Sequence, residues 1–115
     1  MIRILIATLT ILYCSTAYSE QKIPMSDSYY EGKYFLISNK KSGNLNTVVY
    51  KAIFKVETIF SKMEINCSNR KIRATGEGIN SLKALTEFSD KGSWSSPIPK
   101  STRDDVVRFV CKKRG

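Results

Sequence analysis

The sequence predicts an α+β fold: a single antiparallel β-sheet of about five to six strands, one C-terminal helix packed on one face, and one disulfide. Three observations carry this expectation. Between residues 34 and 88, apolar and polar residues alternate with period two and are broken by Gly, Asn and Asp clusters. After a Pro97-Ile98-Pro99 interruption, the apolar spacing changes to that of a helix. Two cysteines, Cys67 and Cys111, then fall on the inward faces of a strand and of that helix.

The first nineteen residues set the context for those cysteines. Met1-Ile2-Arg3 is a short positive head, and residues 4–12 are apolar and uncharged. Ala17-Tyr18-Ser19 then places small residues at the −3 and −1 positions of a cut before Glu20. This order predicts a signal peptide over residues 1–19. The apolar run is shorter than the roughly 20 residues that a membrane span needs. Cys14 is expected to leave with the leader. Lipidation of Cys14 is the alternative, disfavoured because bulky Leu12 and Tyr13 precede it.

Removing 19 of 115 residues leaves 96, a single small domain with a thin core. Arg3 is the one charged residue lost, so 18 basic residues face 10 acidic ones, a net charge of +8. Such a charge either keeps an exported protein soluble or draws it to anionic partners: lipid head groups, acidic polysaccharides or acidic protein patches. In an oxidising compartment the remaining pair, Cys67 and Cys111, reads as a disulfide. They are 44 positions apart, and closing such a loop is worth about 4 kcal/mol by chain entropy. A domain of this size is only about 5–10 kcal/mol stable, so the bond weighs heavily.

The elements follow in order. Residues 20–33 are polar and without period, and predict a loosely ordered N-terminal segment in which Tyr29 and Tyr30 either dock on the core or stay at the surface. Residues 34–115 form the α+β domain. Residues 34–38 read as a strand, and residues 39–44 (NKKSGN) as a turn with Gly43 at positive φ. From 47 to 60, Val48, Tyr50, Ala52, Phe54 and Val56 share one face of a strand. Met63, Ile65 and Cys67, then Ile72 and Ala74, alternate as a hairpin turned at Ser68-Asn69. Gly76-Glu77-Gly78 marks a bend or bulge. Leu82, Ala84 and Phe88 read as a further strand, and Trp94 as a core plug beside the proline turn, with a binding aromatic as the alternative. Ser101 and Asp104 approach a capping box, opening a helix over residues 102–113 with Val106, Val107, Val110 and Cys111 inward. The basic residues at its end suit the helix dipole.

No histidine occurs in the chain, which removes the commonest general base and metal ligand. No GxSxG, HExxH or phosphate-loop motif is present, so the expectation is a non-enzymatic protein without metal or cofactor. Nucleic acid is not an expected partner, since no RNA-stacking signature is present. The strand phases instead place Lys51, Lys55, Lys62, Lys71, Arg73 and Lys83 on the face away from the helix, with Glu57, Glu64 and Glu87 among them. Arg70 extends the same basic stretch. These seven basic residues are the candidate ligand-binding set, against the plainer reading of an ordinary solvated sheet face. An exposed edge strand leaves a homodimer open.

Residues 62–112 resemble the bacterial surface-adhesin protein E family. The likeness lies in Ile65-Asn66-Cys67, the basic strand Arg70-Lys71-Ile72-Arg73, Phe88-Ser89-Asp90-Lys91-Gly92, Trp94 with Ile98-Pro99-Lys100-Ser101, and Val110-Cys111. It extends over roughly residues 47–113. Membership implies a sheet curved around a C-terminal helix tied to it by a disulfide. It also implies an envelope protein, in the periplasm or at the cell surface, that binds a macromolecule such as a host extracellular-matrix glycoprotein. The family's adhesin is a lipoprotein, and the leader here departs from that pattern at Tyr13.

Overall fold

Period-two alternation and turn chemistry build a six-stranded antiparallel meander, seen in a computed structural model that describes residues 20–26 and 32–111. The strands are β1 (Gln21–Ile23), β2 (Lys33–Ser42), β3 (Leu45–Ile53), β4 (Thr58–Asn66), β5 (Lys71–Ile79) and β6 (Thr86–Glu87), each beside its sequence neighbour. One helix, α1 (Thr102–Cys111), closes one face. The expected leader with Cys14, the tyrosines Tyr29 and Tyr30, and the basic residues after Cys111 lie outside the described residues.

The central hairpins match their sequence pattern. Val48, Tyr50 and Ala52 turn inward from β3, Met63 and Ile65 from β4, and Ile72 from β5. Val106, Val107 and Val110 of α1 complete this core. Burying one such side chain contributes about 1.5–3 kcal/mol, enough to hold β-branched valines in a helix they do not intrinsically favour. Ser101 caps the helix: its Oγ accepts from the Asp104 N–H at 3.2 Å, while an Asp104 oxygen accepts from the Lys100 N–H at 3.0 Å. The turn between β4 and β5 is held by asparagines. Asn66 Oδ1 accepts from the Ser68 N–H and Asn69 Oδ1 from the Lys71 N–H, at 3.0 and 3.1 Å.

The single strand expected from 47 to 60 is two, because the chain turns between Ile53 and Thr58, where the Phe54 N–H donates to the Glu57 carbonyl and Val56, expected inward, is 88% exposed. Four further expectations need correction. The segment expected to be loosely ordered supplies β1, which pairs with residues 34–36 of β2 and buries Ile23 to 1% exposure. Three residues are too short to show a period. The segment is further tied down by Ser26, whose N–H and hydroxyl both donate to the buried Asp105 carboxylate, the former at 3.0 Å. Second, residues 39–42 are strand, and only Gly43 (φ +63°) and Asn44 form the turn. Their partners in β3 hold them in the ladder despite polar side chains. An irregularity between Leu36 and Ser38 shifts their phase.

Third, the strand expected through Leu82, Ala84 and Phe88 is a 3₁₀ turn, Leu82–Ala84, followed by the two-residue β6. Ser81 Oγ accepts from the Ala84 N–H at 3.2 Å and starts that turn. Two glycines make room for it. A Cβ on Gly78 would lie 2.6 Å from the Ala84 backbone, and one on Gly76 would lie 2.8 Å from the Thr86 carbonyl oxygen. The GEG segment thus serves as a floor beside the β4–β5 irregularity at Lys62 and Met63. Fourth, Trp94 is 38% exposed rather than a core plug. Ser95 exchanges both backbone hydrogen bonds with Ile72, at 2.8 and 2.9 Å. Since Ile72 faces the core, Trp94 is sent to the opposite face beside Arg73.

The disulfide joins Cys67, at the end of β4, to Cys111, in the last turn of α1, across a Cα–Cα distance of 5.5 Å. Reducing it, or replacing both cysteines by serine, is expected to lower unfolding free energy by about 2–4 kcal/mol. Urea denaturation of the oxidised protein against the double serine variant measures this; equal midpoints would remove the staple from the account.

Candidate docking face

The face opposite α1 gathers the candidate basic residues by strand register. Val49 pairs with Lys62, so Val49, Lys51 and Lys62 share a side. Glu64 pairs with Arg73, and Asn66 with Lys71, on that same side. Of the seven candidates, Lys51, Lys62, Lys71 and Arg73 therefore stand on the outer face. Lys55 lies in the β3–β4 turn and Lys83 in the 3₁₀ turn. Arg70, in the β4–β5 turn with φ +59°, reaches the helix side and sits 3.5 Å from Asp104.

Three further lysines join the face. Lys33 pairs with Ile53, Lys40 with Thr47, and Lys22 with Phe35, all on the outer side. The sequence alone did not assign them. Lys22 needs β1, and Lys40 needs the phase shift after Leu36, neither of which leaves a periodic signal. Aromatic rings are interleaved with the cations. The Arg73 guanidinium lies 4.5 Å from the Trp94 ring centroid, and the Lys51 ammonium 5.7 Å from that of Phe35.

Carboxylates neutralise part of this charge. Lys51 pairs with Glu20 at 2.8 Å, and Lys62 with Glu87. Glu64 is the centre of a small network, accepting from Arg73 Nε at 2.8 Å and from Lys91 Nζ at 3.0 Å. Burial pushes the Glu64 carboxyl up, but the hydrogen bonds and charges of Lys91 and Arg73 outweigh it and hold the group below its ordinary value. Lys62 likewise lowers Glu87. Among the described residues, Lys22, Lys33, Lys40 and Lys71 form no ion pair. They are the cations left to an external partner.

The face offers attraction and stacking. Among the described residues no group of three or more metal-ligating side chains is present, and no helix is long and apolar enough to cross a membrane. On the inner side, burial raises the Tyr50 phenol, against the opposing pull of Arg103 and Ser61. No family model matches the chain, and neither does any curated protein or solved structure with which it was compared.

Because the folded Glu64 has a lowered pKa, its contribution is complete above the ordinary glutamate range near pH 4.5. It fades as pH falls through the lower folded value. Glu64→Gln is expected to cost about 1–2 kcal/mol at pH 7 and much less at pH 3. Urea midpoints of both proteins at the two pH values test this; a cost that does not shrink at low pH would mean that the network is not ionic in origin.

Proposed function

We propose that this chain is an exported, non-enzymatic envelope protein that holds an anionic macromolecule against the outer face of its sheet. The observation that carries the reading is a set of cations on one wall that form no ion pair among the described residues. Lys22, Lys33, Lys40 and Lys71 stand there beside the Arg73–Trp94 stack. Cations spread over a rigid sheet attract an acidic polymer at long range, and exposed rings add contact area. The resemblance to the surface-adhesin protein E family supports the same class of role, with a host extracellular-matrix glycoprotein or an anionic polysaccharide as partner. A homodimer formed by strand addition along β2 is opposed by Lys40 and Lys41 on that edge.

The experiment is capture on a sulfated polysaccharide such as immobilised heparin. The triple variant Lys33→Glu, Lys40→Glu, Lys71→Glu replaces cations that make no ion pair among the described residues, so the fold is retained. Three exposed charge contacts at ~0.5 kcal/mol each imply about tenfold weaker capture at low salt. The difference from wild type should narrow as salt is raised. Equal capture at every ionic strength would refute the docking face.

The second reading is a periplasmic accessory or inhibitor protein with no host ligand, which the leader and the disulfide suit equally well. Labelling of intact cells separates the two. A surface adhesin is labelled from outside, whereas a periplasmic protein is labelled only after the outer envelope is opened. In both cases the intact mass is expected to correspond to the chain from Glu20, without lipid.

A further inference from the structure

A cavity of about 310 Å³ lies where the β2–β3 hairpin, the β4–β5 turn and the last turn of α1 meet. This is the lower end of the roughly 300–1,000 Å³ range of small-molecule sites. Its polar wall carries Asn39, Lys41, Asn46 and Ser68, and its apolar wall Val110 and the disulfide. It is on the helix side of the sheet, away from the basic outer face.

Asn46 is the informative residue. It is only 4% exposed, yet half of its amide is unpaired. Its Nδ2 donates to Asn39 Oδ1 at 2.8 Å. Its Oδ1 lies 3.6 Å from Cys67 Sγ, and that sulfur is oxidised and has no proton to give. Among the described residues the acceptor therefore has no donor. Rotating both amides by 180° exchanges the roles and turns Asn46 Nδ2 toward Cys67 Sγ, which as a disulfide sulfur is only a weak acceptor, so that end of the amide is at best poorly paired. A buried polar atom in that state is costly, and a group entering the cavity can relieve the cost.

We propose that this cavity binds a saccharide unit through its hydroxyl groups. A hydroxyl both donates and accepts, so it satisfies Asn46 in either amide orientation. Val110 and the disulfide present a surface for the C–H face of a sugar ring. Lys41, which makes no ion pair among the described residues, stands at the wall and can donate to a ring oxygen or a sugar carboxylate. A fully deprotonated anion such as sulfate fits less well. It brings no donor to the Asn46 carbonyl oxygen.

The test uses the full, disulfide-bonded chain labelled with ¹⁵N, titrated with glucose, N-acetylglucosamine, glucuronic acid and inorganic sulfate. Each sugar has on the order of a dozen heavy atoms, so a roughly millimolar Kd is expected. Saturable shifts should be confined to the side-chain amides of Asn39 and Asn46 and the backbone of Ser68, with sulfate giving none there. Asn46→Leu is expected to weaken binding about tenfold. Should that variant fail to fold, Lys41→Ala, an exposed change, is expected to weaken glucuronic acid more than glucose if the sugar is acidic, and both alike if it is neutral. The triple glutamate variant of the outer face should bind these sugars as wild type does, so the two sites succeed or fail separately. A cavity that holds only water gives no saturable shift with any sugar. That result, or sulfate moving the same resonances, overturns the proposal.

Discussion

One covalent link organises the molecule. The disulfide holds the last turn of a ten-residue helix to the end of a central strand. A helix this short, with three valines among its inward residues, has little reason to persist alone. The bond keeps it over the core, and burial of Val106, Val107 and Val110 then does the rest. At the other end the hold is polar. Ser101 caps the first turn, and Asp104 and Asp105 take donors from Arg70, Arg108 and Ser26. Asp105 thereby links the N-terminal strand to the helix, so three distant parts of the chain meet around one element.

What was legible in the sequence is what alternation and cysteine arithmetic can encode. The inward phase of Val48, Tyr50, Met63, Ile65 and Ile72 followed from period two, and the Cys67–Cys111 pairing from two cysteines on the inward faces of a strand and a helix once Cys14 is set aside with the expected leader. The misread parts share a physical cause: the partner, not the segment itself, decides their structure. β1 is strand because β2 offers an edge. Residues 39–42 are strand because β3 continues opposite them. Leu82 to Phe88 bends down because Gly76 and Gly78 leave space. Trp94 turns outward because Ser95 is locked to Ile72. Of the candidate basic set, the members on long strands were placed correctly relative to the helix. Lys22 and Lys40 were missed, since their positions depend on one short strand and one phase shift, and Lys33 because the strand begins one residue before the apolar run that marks it.

The sheet thus separates two kinds of chemistry. Its inner side carries the helix, the disulfide and a polar hollow around Asn46. Its outer side carries charge, part of it neutralised within the fold and part of it open. The Glu64 network belongs to the first kind of use. Arg73 and Lys91 converge on a carboxylate with little exposure and brace β5 against the segment that leads to Trp94. The lysines that form no ion pair among the described residues carry no such duty there, so their charge can vary without loosening the sheet.

Trp94 is the only tryptophan in the sequence. Its indole stacks with a guanidinium on the open wall, one residue from the bridge to Ile72. The protein therefore carries a built-in optical reporter. Its emission senses the solvent and the cation directly beside it, so events on that wall are readable in unlabelled material.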